Sequence, residues 1–241
     1  MIKSEIANLH TVKYGTTSID FFLSYTNRKT LGVSVKPDLT VAVSAPYKSG
    51  INEIKKKIEH RGRWIVKQWR FFETFLPQTP VREYVSGETH YYVGKQYRLK
   101  ITKARKSEVK LKGRYIHVSL PDTSDRLKIK LLLAQWYRSH AIDIFSWRIE
   151  NNLDRFGKYK LDFPKLVVRR MEKRWGSCTA EGKVTLNPEI IKAPVKCIDY
   201  VIVHELCHII HHNHGKDFYK LQDKMMPDWE KWKLKLEKFL N

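Results

Sequence analysis

Five of the ten histidines in this 241-residue chain fall between positions 204 and 214, in the run His204-Glu-Leu-Cys-His208-Ile-Ile-His211-His212-Asn-His214. A shuffled chain of this composition carries the HExxH pattern about 2% of the time, so chance explains it poorly. On a helix turning roughly 100° per residue, His204 and His208 lie about 40° apart and one turn from each other, so both imidazoles reach one ion. Glu205 points about 60° to the side of His208. Its carboxylate then stands beside the ion, where a general base for a metal-bound water must sit. The flanking Val201, Ile202, Val203 and Leu206 predict a buried helix.

A third ligand must come from nearby. His211 continues the helical face but sits about 10 Å above His204 on a straight helix, too far to share a tetrahedral ion. His212 points away. Asn213 and Gly215 can adopt left-handed conformations that end a helix, and such a turn swings His214 back toward the pair. His214 is therefore the expected third ligand. His211 and His212 are expected on a solvated helix end, where His suits the dipole. Cys207 is offset by about 100° from His208 and is expected to be a buried thiol. Three histidines with an open fourth position define a catalytic zinc site, with hydrolysis as the reaction class. A closed structural zinc would need a fourth protein ligand and leaves Glu205 without a task.

The elements that must hold this site fall into two halves. Period-two patterning in 18–25, at Leu31, Val33 and Val35, and at Val41, Val43 and Ala45 predicts a β-meander. From Ile51 the period becomes helical, through Ile54, Ile58, Ile65, Trp69 and Phe72, with Pro77 to Pro80 ending one long helix. Strand patterning returns at 91–93, 97–101 and 115–120. These predict a β-rich N-terminal domain over 1–122. Thr123-Ser-Asp125 then caps a long helix to about 152. A hairpin is expected between 166–171 and 182–186, then helices at 197–212, 216–226 and 228–240, so 123–241 forms the second domain of an α+β chain. No internal repeat is apparent.

The chain carries 46 Lys+Arg against 25 Asp+Glu, a formal +21. Basic residues outnumber acidic ones 23 to 11 in 1–125 and 23 to 14 in 126–241, so the excess is no detachable tail. It makes polyanions, phosphorylated substrates and acidic proteins the candidate partners. The 42% of hydrophobic residues excludes a disordered class. No apolar run approaches the roughly 18 residues of a membrane span, and the N-terminus has no apolar signal core. A cytoplasmic protein with no membrane partner is expected. Cys178, Cys197 and Cys207 form no CxxC pair and predict no disulfide framework.

The sequence resembles the YgjP-like metallopeptidases, related more distantly to SprT-like and other short gluzincin-type domains. The resemblance rests on Met171-Glu-Lys-Arg-Trp-Gly-Ser-Cys178, Val184-Thr-Leu-Asn187, Ala193-Pro194, Ile198 to His208, Asn213-His214, Phe218 and Met226-Pro-Asp228, and in the first half on Arg28-Lys-Thr-Leu31, Ala45-Pro46, Trp64-Ile65, Gly87-Glu88 and Tyr92-Val-Gly94. It implies a compact gluzincin-like zinc-hydrolase domain with an active-site HExxH helix, His204, His208 and His214 as ligands, and Glu205 as the catalytic group. Gly215 stands where many members have Ser, a change that leaves ligation undisturbed. The family name implies peptide-bond hydrolysis, although some members are described as pyrophosphatases acting on UTP.

Arg169, Arg170, Lys173 and Arg174 precede the strand pair expected to border the helix. A peptidase would use an edge strand there to align an extended peptide; a nucleotide pyrophosphatase would use the guanidinium groups as phosphate clamps. Asn187 and Tyr200 are further candidate substrate contacts, each with a buried structural hydrogen bond as the alternative. Arg98 to Arg114 holds eight basic residues and one acid, and predicts a strand pair with a basic face suited to phosphate backbones. The expectation is a zinc-dependent hydrolase of peptides or nucleotides; the competing expectation is a non-specific nucleic-acid-binding protein with a structural or vestigial zinc. Oligomeric state is not legible.

Overall fold

The computed structural model describes residues 8–36, 38–73, 82–172 and 174–240. The chain divides into two compact units, Met1–Pro80 with Asn241, and Val81–Leu240. The division differs from the boundary expected at 122. Leu99, Ile116, Val118 and Leu120, placed by sequence in the first domain, are buried in one core with Ile129, Leu133 and Phe145 of the long helix.

The first unit contains β1 (Asn8–Tyr14), β2 (Thr17–Thr26), β3 (Gly32–Val35) and β4 (Val41–Pro46), then α1 (Ile51–His60) and α2 (Gly62–Glu73). Alternation in β2 and β4 sends Ile19, Phe21, Leu23, Val41, Val43 and Ala45 into a core closed by Ile54, Ile58 and Ile65. The sheet is no meander. Its order is β1-β2-β4-β3, because β2 and β4 pair in parallel. The single helix expected from Ile51 is also two. Arg61 leaves helical geometry at φ −91°, ψ 3°, and Gly62 follows because the Tyr14 ring occupies the space of a side chain, 2.2 Å from where a Cβ would stand. Pro77 to Pro80 lie outside the described residues.

The second unit opens with β5 (Thr89–Tyr92), β6 (Lys95–Lys103), β7 (Glu108–Lys112) and β8 (Tyr115–Leu120), followed by α3 (Arg126–Leu153). Their order, β5-β6-β8-β7, repeats that of the first sheet, with the same sense at each pairing and a helix after the last strand. The repeat is one of topology, which residue identities do not reveal. The strand pair expected in Arg98 to Arg114 does not form, since β8 lies between β6 and β7. Asp125 caps α3 by accepting the Lys128 N–H at 2.8 Å.

A third, small sheet contains β9 (Lys165–Val168), β10 (Gly176–Cys178) and β11 (Lys183–Leu186) in the order β10-β11-β9. Here β9 runs parallel to β11, where a hairpin was expected; the antiparallel place beside β11 is taken by β10, formed within the expected connection. Helices α4 (Val195–Ile210), α5 (Lys216–Met225) and α6 (Trp229–Leu240) complete the unit. Among the described residues no helix is long and apolar enough to cross a membrane.

Two attachments fix α4. The Val93-Gly94 turn between β5 and β6 donates its N–H groups to the carbonyls of Ile191 and Lys192, and Gly94 passes under Pro194, the residue that caps α4, so closely that a Cβ would stand 2.8 Å from the Pro194 Cα. Further along, fully buried Asp199 accepts two 2.7 Å hydrogen bonds from Arg148 of α3 and one of 3.1 Å from Asn152. A buried charge persists only when paired in this way.

Candidate metal centre

Helix α4 is apolar nearly all round, with Val201, Ile202, Val203, Leu206 and Cys207 buried, so it threads the core and carries His204 and His208 on one partly open face. The helix ends when His211 turns extended, at φ −126° and ψ 102°. That residue makes the turn; Asn213 is absent from the positive-φ residues and Gly215 is extended at φ −82°, so the left-handed bend expected there is not used. The chain nevertheless returns, and His214 Nε2 comes within 3.1 Å of both His204 Nε2 and His208 Nε2. Phe218, fully buried on α5, lies behind the three rings, its centroid 5.0, 4.5 and 4.8 Å from those of His204, His208 and His214.

The three nitrogens fit a metal ion. His204 Nδ1 is 2.9 Å from the side-chain oxygen of Gln222, and His208 Nδ1 is 3.2 Å from the carbonyl of His211. Since a carbonyl only accepts, each Nδ1 carries the proton and each Nε2 presents a lone pair. Lone pairs 3.1 Å apart repel unless a proton or a cation lies between them. Tetrahedral coordination at about 2.0–2.1 Å puts ligand nitrogens roughly 3.3–3.4 Å apart, close to the spacing present. Burial holds the His204 pKa down at about 4 and also lowers that of His208, so both imidazoles are neutral near pH 7, as ligation requires.

Glu205, next to His204 on α4, is 4% exposed. Its Oε2 has no hydrogen-bond partner among the described residues, and its Oε1 faces Gly176 of β10, 2.4 Å from where a Cβ would stand. Desolvation raises its pKa to about 8, against the opposing pull of the Arg174 guanidinium. Burial, helped by the same carboxylate, pushes the Cys178 thiol up to about 11. An orphaned buried oxygen needs a partner. Glu205 adjoins the ligand candidate His204 in the helix, and a water held by an ion at the histidine nitrogens is one group that would supply such a partner.

The described basic residues ahead of β10 have different partners. Arg174 is the described member of the group that acts on Glu205; Arg170 acts on Tyr84; Arg169 donates its backbone N–H to Leu186; Lys173 lies outside the described residues. Asn187, a candidate substrate contact, is 2% exposed and otherwise engaged. Its amide donates to the carbonyls of Met171 and Arg174 while its oxygen accepts from the Glu189 N–H, so it tethers those two residues. Tyr200 is buried, stacked on Trp229 at 6.2 Å. His211 enters the cluster through its backbone oxygen, and His212 bonds back to the His208 carbonyl at 3.1 Å. Cys207 is fully buried, its thiol pushed up to about 12.

Two contributors escaped the sequence reading. Gln222 sits 18 positions from His204 on another helix; its signal is that it falls four residues after Phe218, on the apolar side of α5 with Leu221 and Met225. The pattern of the sequence puts Gly176 in a connection, whereas it opens β10, and a glycine inside a strand marks close approach of another group.

Residues 29–239 match the family profile described as YgjP-like, metallopeptidase domain, which makes the class metallopeptidase-type. The chain belongs to the YgjP-like family. No curated protein matches it. Among solved structures, the crystal structure of the metallopeptidase zymogen of Pyrococcus abyssi abylysin is similar over 36% of this chain and 87% of its own, with 19% identity and a TM-score of 0.34.

Proposed function

We propose that the chain is a zinc-dependent hydrolase of peptide bonds, with the ion held by His204, His208 and His214 and Glu205 as general base. The observation that carries this reading is the convergence of the three histidine nitrogens, with buried Glu205, next to His204 in α4, left with an Oε2 that has no hydrogen-bond partner among the described residues. An ion held by His204, His208 and His214 would supply Lewis acidity, acidifying a water and polarising the scissile carbonyl. Glu205 takes a proton from the attacking water and passes it to the departing amine nitrogen. Burial, by raising its proton affinity, suits it to both transfers. Gly176 lets the strand lie against the carboxylate without a side chain intervening. One edge of β10 has no strand partner among the described residues, so an extended peptide could add there by main-chain hydrogen bonds and pass close to Glu205.

A second reading, hydrolysis of a nucleoside triphosphate on the same centre, is favoured by the proximity of Arg174 to Glu205, since a guanidinium is a phosphate clamp. The two are separated by assaying zinc-loaded protein in parallel on an unfolded protein and on nucleoside triphosphates. Cleavage of the unfolded protein alone supports the peptidase. Release of pyrophosphate without peptide cleavage rejects it.

A further inference from the structure

The first unit contains a cleft unrelated to this chemistry. It has a volume of about 710 Å³ and is bordered by Lys29, Lys56, Lys57, His60 and Arg61, with Glu53 as its single acid. Glu53 is occupied by Lys57 at 2.6 Å. Lys29, Lys56 and Arg61 are exposed and have no ion-pair partner among the described residues.

Part of this charge has a local cause: Lys57 and His60 stand in the last turn of α1, where cations suit the helix dipole. Lys56 immediately precedes that turn, but Lys29 comes from the segment between β2 and β3, so the dipole does not account for its meeting them. Cations around a hollow add their potentials and focus the field there. The charge continues beyond the cleft, since residues 48–70 hold eight Lys or Arg against two Glu. A ligand longer than one nucleotide would therefore gain contacts along α1 and α2. Two large rings flank the cleft in sequence. Tyr47, next to the lining residue Pro46, is 64% exposed, and Trp64, three residues after Arg61, is 42% exposed.

We propose that this cleft binds a single-stranded nucleic acid, its cations neutralising successive phosphates and Tyr47 and Trp64 offering faces on which bases stack. Exposed aromatics interleaved with lysine and arginine are the chemistry of sequence-tolerant single-strand binding. The rings distinguish this ligand from an acidic protein, which has no bases to stack.

The test is fluorescence anisotropy of the zinc-loaded full chain with a labelled mixed-sequence 20-mer, titrated across salt concentration. The single strand should bind more tightly than a duplex of the same sequence or a poly-glutamate of equal charge. Its log K should fall with log salt by about 0.7 per phosphate contacted. Replacing Lys29, Lys56 and Arg61 together by Ala should weaken binding at least tenfold and reduce that slope by about 2, while replacing Lys103, Arg105 and Lys106 in the other unit should change neither. Tyr47→Ala with Trp64→Ala should also weaken binding about tenfold, and melting curves confirm that each exposed variant stays folded. Absence of binding at low salt would overturn the proposal. So would equal affinity for duplex or poly-glutamate, or equal weakening by the two charge-removal sets.

Discussion

Gly176 and Glu205 are packed so closely that a methyl group on the glycine would stand 2.4 Å from Oε1, 2.8 Å from Cγ and 2.9 Å from Cδ of the glutamate. The carboxylate is buried, so it has little room to yield. Gly176→Ala should displace the general base while leaving the histidines alone, lowering turnover at least about tenfold with metal content unchanged. Kinetics paired with elemental analysis would check this, and full turnover in the alanine variant would speak against the packing.

The ligand set gives a second prediction. His214→Ala should lose stoichiometric zinc because one of three converging nitrogens disappears. His211→Ala should keep it, since His211 contributes its backbone oxygen to His208. Zinc retained at one equivalent by His214→Ala would show that a different residue completes the site.

Gln222 fixes the His204 tautomer through one 2.9 Å contact. With that acceptor removed in Gln222→Leu, metal affinity should fall about 10–100-fold, the usual cost of losing such a partner. Gln222→Glu, which restores an acceptor, should recover most of it. Competition titration against a chelator reads the affinity directly, and equal affinity in the leucine variant would make Gln222 merely a packing residue.

These contributors also mark what was legible in the sequence. His204, Glu205 and His208 are fixed by local spacing on one helix, and the apolar residues around them already implied burial. The spatial partners Gln222 and Gly176 come from elements whose approach depends on tertiary packing. Strand alternation likewise revealed which residues of β2 and β4 face the core, yet a period of two says nothing about partner or direction. The parallel β2–β4, β6–β8 and β9–β11 pairings therefore went unread, as did the break at Arg61, which depends on the ring of Tyr14 from a distant strand.

His90 of β5 supplies a prediction about pH. It is 2% exposed, and its Nε2 has no hydrogen-bond partner among the described residues. Burial, helped by the charges of Arg82 and Lys192, lowers its pKa from 6.5 to about 3. Glu88, 3.8 Å away, would favour the protonated form, but that carboxylate already accepts from Arg82 and the Tyr84 N–H. Below pH 6.5 the unfolded chain thus binds a proton that the folded chain refuses. Stability from this residue is complete above pH 6.5 and falls as pH drops from there toward 3. Between pH 7.5 and 4.5 the loss is about 2–3 kcal/mol. Urea unfolding of His90→Leu should show a correspondingly smaller acid loss than the parent chain; equal losses would contradict the assignment.

The central claim is that Glu205 moves the proton while the three histidines hold the ion, and Glu205→Gln tests it most directly. The amide keeps the shape of the side chain and removes its basicity. Measured together on the zinc-loaded variant, zinc should remain at one equivalent while hydrolysis of unfolded protein falls by at least about 10²-fold. Turnover equal to that of the parent chain, with zinc in place, would contradict it.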